Sequence, residues 1–326
     1  MATPIWKDSQ VTFVSLTENT SFSVEADGEI IYKGKINKDP NTNYSRLYLN
    51  RIAKDYLSSK INFDNKGMVH SQPNYKRTVT TTPKAASGST FTFFNDWSYR
   101  EIDIKSASQC ISKPLSNVVD PRQRLLCTMA KISDGDAGAV KAEWYDGTSW
   151  NEIATATPSP CVTFSLELKD LPEGAKVDIM DDEDEIAKSY IVKNTCAEYC
   201  LYYLNAHGGY DHLLIRGTTL RTDSYNRTEI RRGVSNITLA HGRDVVSNEV
   251  TPRWRLNTEY LTDEQWQLTH HLLGSPHVYL HDLENNEVTP VVITSSVAEF
   301  KSYRNQGNKK SYLKIDVEAS VKRMRK

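Results

Sequence analysis

Apolar and polar residues alternate over short stretches in the first part of the chain, with the period of two that is typical of half-buried β-strands. Strands are predicted at residues 11–16, 22–26 and 29–36, and Asp27-Gly28 supplies hairpin turn chemistry between the last two. Further along, the apolar spacing becomes helical. This change predicts a short helix from about Asn50 to Ser59, with Asn50 as its N-cap.

Residues 64–89 lack this periodicity and are rich in Lys, Thr, Pro, Ser and Gly. Such a composition is typical of an extended loop rather than of a packed core. A strand is predicted to follow at residues 91–94. We therefore predict an N-terminal β domain over residues 1–97, with one short helix and a polar arm at about 64–89.

Strand periodicity resumes in the middle of the chain. The segments on either side of Gly147-Thr148 predict a hairpin in which Trp144 and Trp150 pack across the strands. Residues 161–168 alternate apolar with polar side chains, which predicts a strand with one buried face. Short strands joined by regular turns are typical of a β-sandwich, so a β-sandwich-like domain is predicted over residues 98–195.

The clearest helical pattern lies at about residues 262–273. Thr262 and Gln265 form a capping-box pattern, and Gly274 and Pro276 follow as helix-ending residues. With its flanking strands, this helix predicts a C-terminal α+β domain over residues 196–326. The predicted fold class is thus mainly β with a smaller α+β part: an N-terminal β domain, a β-sandwich-like middle region, and a C-terminal sheet with one packed helix.

Charge and composition exclude several classes of function. The 326 residues carry 40 Lys+Arg against 41 Asp+Glu, and a net charge of -1 argues against a surface for nucleic acid. No apolar run approaches the roughly 20 residues of a membrane-spanning helix, and the first residues do not form a secretory signal. We therefore expect no membrane partner and no specific nucleic acid. The five cysteines are expected to be reduced, buried thiols in a cytoplasm.

No pattern of residues points to catalysis, to a metal or to a cofactor. His277 and His281 could share one strand face, as could Cys196 and Cys200, but neither pair has the further ligands that a zinc site needs. The acidic run at 181–185 lacks the glycine of a calcium loop and is expected at a solvated hairpin tip. The prediction is therefore no catalytic residue, no metal ligand and no cofactor.

A basic patch and one tyrosine are the candidate interface residues. The patch consists of Arg221, Arg227, Arg231 and Arg232. It could face the acidic run 181–185 of a neighbouring copy, although a solvated loop beside an unrelated acidic tip explains the same residues equally well. Tyr210 directly follows Gly208-Gly209, a pair that predicts a tight turn, and is the candidate aromatic anchor.

Several segments of the chain carry a family resemblance. The densest run comprises CLYYLNAHGGYDHLLIRG at 200–217, TDSYNR at 222–227, WRLNTEYLTDEQ at 254–265, HHLLGSPHVYLHDL at 270–283 and VTPVVI at 288–293. The earlier segments are EIIYKGKI at 29–36, LYLNRIAKDYL at 47–57, FTFFNDWSY at 91–99 and PLSNVVDPRQ at 114–123. In this order, these segments resemble structural proteins of tailed bacteriophages of gut Bacteroidota, including crAss-like phages.

This resemblance implies a non-enzymatic virion component that forms a ring in the neck or tail. The implied partners are further copies of the chain and neighbouring virion proteins such as portal, neck or tail proteins. The implied location is the virion, after synthesis in the host bacterial cytoplasm. The family carries no catalytic motif that could be transferred to these residues. A near-neutral charge of mixed sign fits contacts between identical copies, because neighbouring subunits then avoid net repulsion.

Two other functions remain open. A β-rich carbohydrate- or receptor-binding module of a phage tail would share the 17 Tyr, the 6 Trp and the lack of catalytic motifs. Such a module would bind a glycan as a single subunit, whereas a ring protein would self-associate. A β-sandwich hydrolase would need convergent carboxylates, which the sequence does not place.

Overall fold

The structure is a computed structural model that describes residues 2–4, 10–14, 20–26, 28–37, 44–58, 61, 63, 67–85, 88–95, 109–131, 138–231, 243–295, 311–321 and 323–325. The fold is mainly β, as predicted. Contacts divide the chain into two compact units. Unit 1 comprises Met1–Lys113, Asn117–Lys193 and Leu204–Asp211, and unit 2 comprises Pro114–Ser116, Asn194–Tyr203 and His212–Lys326. Unit 1 thus takes in most of the first two predicted domains, and the predicted boundary at 97/98 lies outside the described residues.

The elements up to residue 192 are short strands with one α-helix and two 3-10 helices, at Lys54–Tyr56 and Pro73–Tyr75. In chain order they are β1 (Ala2–Pro4), β2 (Gln10–Val14), β3 (Thr20–Ala26), β4 (Glu29–Ile36), β5 (Tyr44–Tyr48), α1 (Leu49–Ala53), β6 (Val69–Ser71), β7 (Lys76–Ala85), β8 (Gly88–Phe94), β9 (Gln109–Cys110), β10 (Val118–Val119), β11 (Arg124–Ala130), β12 (Val140–Tyr145), β13 (Trp150–Ala156), β14 (Cys161–Glu167), β15 (Lys176–Met180) and β16 (Ile186–Val192).

The N-terminal sheet has the strand order β1-β8-β7-β3-β4. The predicted hairpin between β3 and β4 is present, and Gly28 adopts the positive φ of 84° that such a tight turn requires. Apolar side chains of β3, β7 and β8 form a core with those of α1, for example Phe22, Val79 and Leu49. The helix begins one residue earlier than predicted, so Asn50 lies inside it instead of serving as its N-cap.

The predicted polar arm is wrong for most of its length. Within residues 64–89, β7 is an internal strand, paired with both β3 and β8. Val79 and Thr81 alternate inward and are buried. The polar composition concealed this alternation, because threonine has a β-branched side chain that packs well in a strand and can be buried once its hydroxyl is hydrogen-bonded. Residues 64–66 and 86–87 lie outside the described part of the chain.

The β-sandwich-like middle region is confirmed. One sheet has the order β10-β16-β15-β12-β13 and the other the order β6-β14-β11-β9, and side chains from both sheets share one core. β14 is buried on both faces instead of half-buried as predicted. Its polar side chains are accommodated inside, since Thr163 Oγ1 lies 3.1 Å from Thr128 Oγ1 on β11.

The predicted hairpin around Gly147 joins β12 to β13, but its aromatic pairing differs from the prediction. Trp150 lies opposite Tyr145, with ring centroids 5.1 Å apart, and Trp144 lies opposite Asn151. The two tryptophans therefore do not pack against each other across the strands as expected. A register is fixed by the turn, and here the turn residues 146–149 place position 145 opposite position 150.

The remaining elements form the C-terminal sheet and its helix. They are β17 (Tyr199–Leu204), β18 (Tyr210–Ile215), β19 (Thr219–Arg231), β20 (Arg243–Leu261), α2 (Asp263–Leu273), β21 (Val278–Asp282), β22 (Glu287–Ile293), β23 (Ser311–Ala319) and β24 (Arg323–Arg325). The strand order is β18-β17-β21-β22-β23-β20-β19, and β24 pairs with β20. No helix within the described ranges has the length and apolar character needed to span a membrane.

The predicted helix and its capping box are confirmed. The backbone N–H of Gln265 donates to Thr262 Oγ1 at 3.2 Å, and the backbone N–H of Thr262 donates to Gln265 Oε1 at 3.0 Å. Gln265 Nε2 also donates to the carbonyl oxygen of Leu115 at 2.7 Å. Trp266 and Leu272 of α2 pack into the core of the sheet, so the cap fixes where a core-forming helix begins.

Replacing the capping threonine tests this assignment. Thr262→Ala leaves the Gln265 N–H without its acceptor and is expected to lower the free energy of unfolding by about 1 kcal/mol. Urea unfolding monitored by circular dichroism measures this loss. Thr262→Ser keeps the hydroxyl and should remain close to the wild type. Equal midpoints for the alanine and serine variants would contradict a stabilising role for the cap.

Candidate functional site

The most prominent surface feature is a long antiparallel hairpin of β19 and β20, which we call the ribbon. Its pairing extends from Thr219 opposite Leu256 to Arg231 opposite Arg243. β23 pairs with β20 only from Arg253 onward. Among the described strands, the outer part of the ribbon therefore has β24 as its only additional neighbour, at Asn248–Val250.

The ribbon exposes large apolar side chains on both strands. Leu220, Tyr225 and Ile230 of β19 are 56%, 53% and 53% exposed, and Val245 and Val246 of β20 are 53% exposed each. A two-stranded ribbon has no second layer to cover such side chains and is only marginally stable by itself in water. Exposed apolar side chains grouped on one element are typical of a surface that contacts another molecule.

Three of the predicted interface arginines, Arg221, Arg227 and Arg231, lie on the ribbon. Arg221 forms an ion pair of 3.5 Å with Asp223 and lies 5.7 Å from the ring centroid of Trp254. Arg227 lies 5.9 Å from the ring centroid of Tyr225. Because Arg221 and Arg227 are an even number of residues apart on a strand, they share one face. The side chain of Arg231 and the whole of Arg232 lie outside the described residues.

Tyr210 is not available as an interface anchor, contrary to the prediction. Its side chain is buried completely. Its backbone N–H donates a hydrogen bond to Thr128 Oγ1 at 3.0 Å, and its carbonyl oxygen accepts a hydrogen bond of 2.7 Å from Ser112 Oγ. The glycines before it face inward, since a Cβ atom on Gly209 would meet Ile111 and Thr128. Tyr225 is the exposed aromatic side chain of the ribbon instead.

The acidic run lies at the tip of the β15–β16 hairpin, as predicted. Asp181 Oδ1 accepts hydrogen bonds from the backbone N–H groups of Glu183 and Glu185, at 3.0 Å and 2.8 Å. Lys141 Nζ forms an ion pair of 2.8 Å with Asp184, and this carboxylate raises the pKa of Lys141. Part of the acidic charge is thus engaged within its own hairpin and by Lys141 of the neighbouring strand β12. Its contact with the arginines of another copy stays a prediction.

A buried polar cluster surrounds the turn at residues 205–209. Asn205 Oδ1 accepts the backbone N–H groups of His207 and Gly209, at 2.9 Å and 3.0 Å. Asn205 Nδ2 donates to the carbonyl oxygen of Ile111 and to Asp211 Oδ2, both at 2.9 Å. The amide thereby uses both of its acceptor positions and both of its donors. Sequence reasoning missed Asn205, because these partners come from distant parts of the chain.

Asp211 is the most strongly perturbed carboxyl of this cluster. Burial raises its pKa to about 7, even though hydrogen bonds from Asn205 and from the backbone N–H of Lys113 favour the charged form. A carboxyl with a near-neutral pKa is what acid–base catalysis uses. Here, however, the residue is buried, and each of its two oxygens already accepts a hydrogen bond from the protein. Asp211 therefore has the geometry of a residue that stabilises the fold through its hydrogen bonds.

The cysteines and histidines described below have protein neighbours, but they do not converge on one site. Cys110 and Cys127 place their Sγ atoms 3.5 Å apart in unit 1. Cys200 is buried as predicted, whereas Cys196 is exposed. His281 of β21 has both ring nitrogens in hydrogen-bond contact, with Tyr202 Oη at 3.1 Å and Asn286 Oδ1 at 3.0 Å. Within the described ranges, no three His, Cys, Asp or Glu side chains converge as a metal site would require.

Comparison with known proteins does not extend this picture. No protein-family model matches the chain. No curated protein gives a significant match either.

The buried carboxyl predicts a specific pH dependence of stability. The pKa of Asp211 rises from 3.8 to about 7 on folding, so between these values the folded chain holds a proton that the unfolded chain has released. Stability should therefore fall as the pH rises through this range, by on the order of 4 kcal/mol in total. Asp211→Asn should abolish this part of the pH slope, whatever its effect on absolute stability. Urea unfolding at a series of pH values measures it.

An exposed carboxyl provides the matched control. Hydrogen bonds from the backbone N–H groups of Ser149 and Thr148 lower the pKa of Asp146 from 3.8 to about 2. The stability that Asp146 contributes is present above pH 3.8 and is lost as the pH falls through about 2. Asp146→Asn should consequently leave the slope between 3.8 and about 7 unchanged. An unchanged slope in Asp211→Asn would contradict the assignment.

A pair of glycines tests how tightly the turn of the polar cluster is packed. Gly28 and Gly208 both have positive φ, 84° and 79°. A Cβ atom on Gly208 would collide with Asn95 and Tyr75, whereas one on Gly28 would meet nothing. We expect Gly28→Ala to cost about 1 kcal/mol from backbone strain and Gly208→Ala about 1–3 kcal/mol more from overpacking. Thermal and urea unfolding measure both losses, and similar losses would show that the turn can relax.

Proposed function

We propose that this protein is a non-enzymatic structural subunit that self-associates through its ribbon, as part of a ring in the neck or tail of a phage particle. The observation that carries the proposal is the exposure of large apolar side chains along both strands of the ribbon. Association would reduce the exposure of these side chains and would supply the further strands that a two-stranded ribbon lacks. The phage setting rests on the sequence resemblance.

The ionisable groups of the described chain support a structural function. The strongly perturbed groups are fully buried side chains whose pKa values are raised by burial, hydrogen bonding or both: Asp211, Cys127, Cys161 and Tyr190. A substrate would have to displace protein hydrogen bonds to reach Asp211. The proposed partners are further copies of the chain, together with the portal, neck or tail proteins that neighbour such a ring in the virion.

One observation favours a second function, a carbohydrate- or receptor-binding module. Tyr145 and Trp150 form an exposed aromatic pair on the β12–β13 hairpin, with ring centroids 5.1 Å apart. Lys176 Nζ lies 5.3 Å from the centroid of Trp150. Exposed aromatic rings with polar neighbours are of the kind on which sugar rings stack. This pair has two exposed large apolar side chains, whereas five are named above on the ribbon.

The oligomeric state of the purified protein tests the first proposal. We expect light scattering to give a discrete assembly with a whole-number multiple of the chain mass, and negative-stain electron microscopy to show rings. The same chain should be found by mass spectrometry in purified phage particles. A protein that stays monomeric at every accessible concentration would contradict the proposal.

Two double variants separate the candidate functions. Val245→Ser with Val246→Ser removes apolar surface from the ribbon. Each valine is about half exposed, so burying it contributes about 1 kcal/mol, and losing both should weaken association roughly tenfold or more. Tyr145→Ala with Trp150→Ala is the matched control, which should leave assembly intact. Loss of glycan binding in that control, with a monomeric wild type, would favour the second function.

A further inference from the structure

The two ends of the C-terminal sheet differ sharply in exposure. β18, at one end, is six residues long and buried at every position. β19, at the other end, is thirteen residues long and exposed at every position from Ser224 to Ile230. Within the described part of the chain, β19 pairs only with β20. An exposed end strand presents backbone N–H and C=O groups on its outer side and can pair with a strand of another chain.

The residue types of β19 mirror one another about Tyr225. Moving outward from this centre, the first five residues on one side correspond to complementary or similar residues on the other, and only the outermost pair, Thr219 and Arg231, does not match. The matched pairs are Ser224 and Asn226, Asp223 and Arg227, Thr222 and Thr228, Arg221 and Glu229, and Leu220 and Ile230. Two identical strands that run antiparallel with Tyr225 opposite itself would therefore place acid opposite base, hydroxyl opposite hydroxyl, and apolar opposite apolar side chains.

Neighbouring registers do not have this property. Centring the pair on Asn226 puts Asp223 opposite Glu229, and centring it on Ser224 puts Arg221 opposite Arg227. Parallel, in-register pairing would place every charge opposite its own copy. Like charges directly opposite one another are destabilising in a sheet. Of the possible registers, the antiparallel one centred on Tyr225 forms the largest number of acid–base pairs, and the charge pattern therefore favours it.

The geometry of β19 preserves the alternation that this pairing needs. The pairing of β19 with β20 has one irregularity, where Thr228 lies opposite Ser247 and Glu229 opposite Val245. The extra residue, Val246, is on β20, so β19 itself alternates without interruption. Arg221 and Asp223 are 57% and 33% exposed and only 3.5 Å apart. Such an exposed ion pair contributes little within one copy, and both groups remain accessible to a second copy.

We propose that β19 pairs antiparallel with β19 of a second copy, about a two-fold axis at Tyr225. The proposal rests on the proposed function, because it names the contact through which the chain self-associates. A two-fold contact uses the same patch on both copies and joins them in pairs. Within a ring assembly, this contact would link each subunit to one subunit of a facing ring, while a different contact closes each ring.

A charge-swap experiment tests whether β19 faces β19 of a second copy. The acidic variant carries Arg221→Glu and Arg227→Asp, and the basic variant carries Asp223→Arg and Glu229→Arg. Alone, each variant would place like charges opposite one another at all four positions, so its self-association at β19 should weaken by roughly tenfold or more. Mixed in equal amounts, the two variants oppose unlike charges at all four positions. Sedimentation equilibrium should then show recovery of the wild-type affinity as a mixed pair.

Cysteine cross-linking tests the position of the axis. In a Cys196→Ser background, Tyr225→Cys should form a disulfide between two copies when oxidised glutathione is added, because directly opposite residues are about 4.5–5.5 Å apart at Cα. Thr228→Cys alone should not cross-link, since it would lie opposite Thr222. A mixture of Thr222→Cys and Thr228→Cys proteins should cross-link. Efficient self-cross-linking of Thr228→Cys would overturn the register.

The outcomes separate this inference from the function on which it rests. Assembly of the wild type that neither charge variant disturbs would overturn the β19 pairing and leave the structural function standing. A wild type that is monomeric throughout would overturn both. Recovery in the mixture supports the pairing and also shows that both variants are folded, and failure to recover, with native circular dichroism spectra for both, would overturn it.

Discussion

A β-strand is stable only when its backbone N–H and C=O groups have hydrogen-bond partners, and this requirement shapes the whole of a chain that is mainly β. Strands inside a sheet meet it on both sides, and the strands at the two ends of a sheet cannot. β18 is short and buried, and side chains supply partners where it begins: the backbone N–H of Tyr210 donates to Thr128 Oγ1, and its carbonyl oxygen accepts from Ser112 Oγ. β19 is long and exposed instead, so the self-association proposed for this protein follows from the same constraint that builds its sheets.

Buried backbone groups inside unit 1 also need hydrogen-bond partners, and there a side chain provides them instead of a neighbouring strand. The turn at residues 205–209 is buried, and the amide of Asn205 satisfies backbone groups that no neighbouring strand reaches. Asp211 is held in the same network. A catalytic carboxyl keeps one oxygen accessible to its substrate, whereas both oxygens of Asp211 accept hydrogen bonds from the protein. A perturbed pKa is here a consequence of how a turn is buried.

Local sequence patterns were sufficient to predict the elements that are stabilised by residues close to them in the sequence. The capping box of α2 and the glycine turn after β3 lie within a few residues of the elements they define. Where the predicted burial was wrong, it depends on residues that lie far away in the sequence. β14 is buried on both faces because a second layer covers its polar positions, and Tyr210 is buried because its turn packs against segments far away in the sequence. The ribbon was not identified as a strand pair, because two exposed faces produce no apolar period.

β20 is a single strand of nineteen residues that takes part both in the ribbon and in the inner part of the C-terminal sheet. Its first part forms the ribbon, and its last part, from Arg253 to Leu261, pairs with β23 inside the sheet. A pull on the ribbon along its axis therefore reaches the sheet through one continuous backbone. Such a force loads the β20–β23 hydrogen bonds together in shear, instead of opening them one after another. Any tension on the ribbon would therefore be transmitted to the sheet along β20 and resisted by its hydrogen bonds with β23.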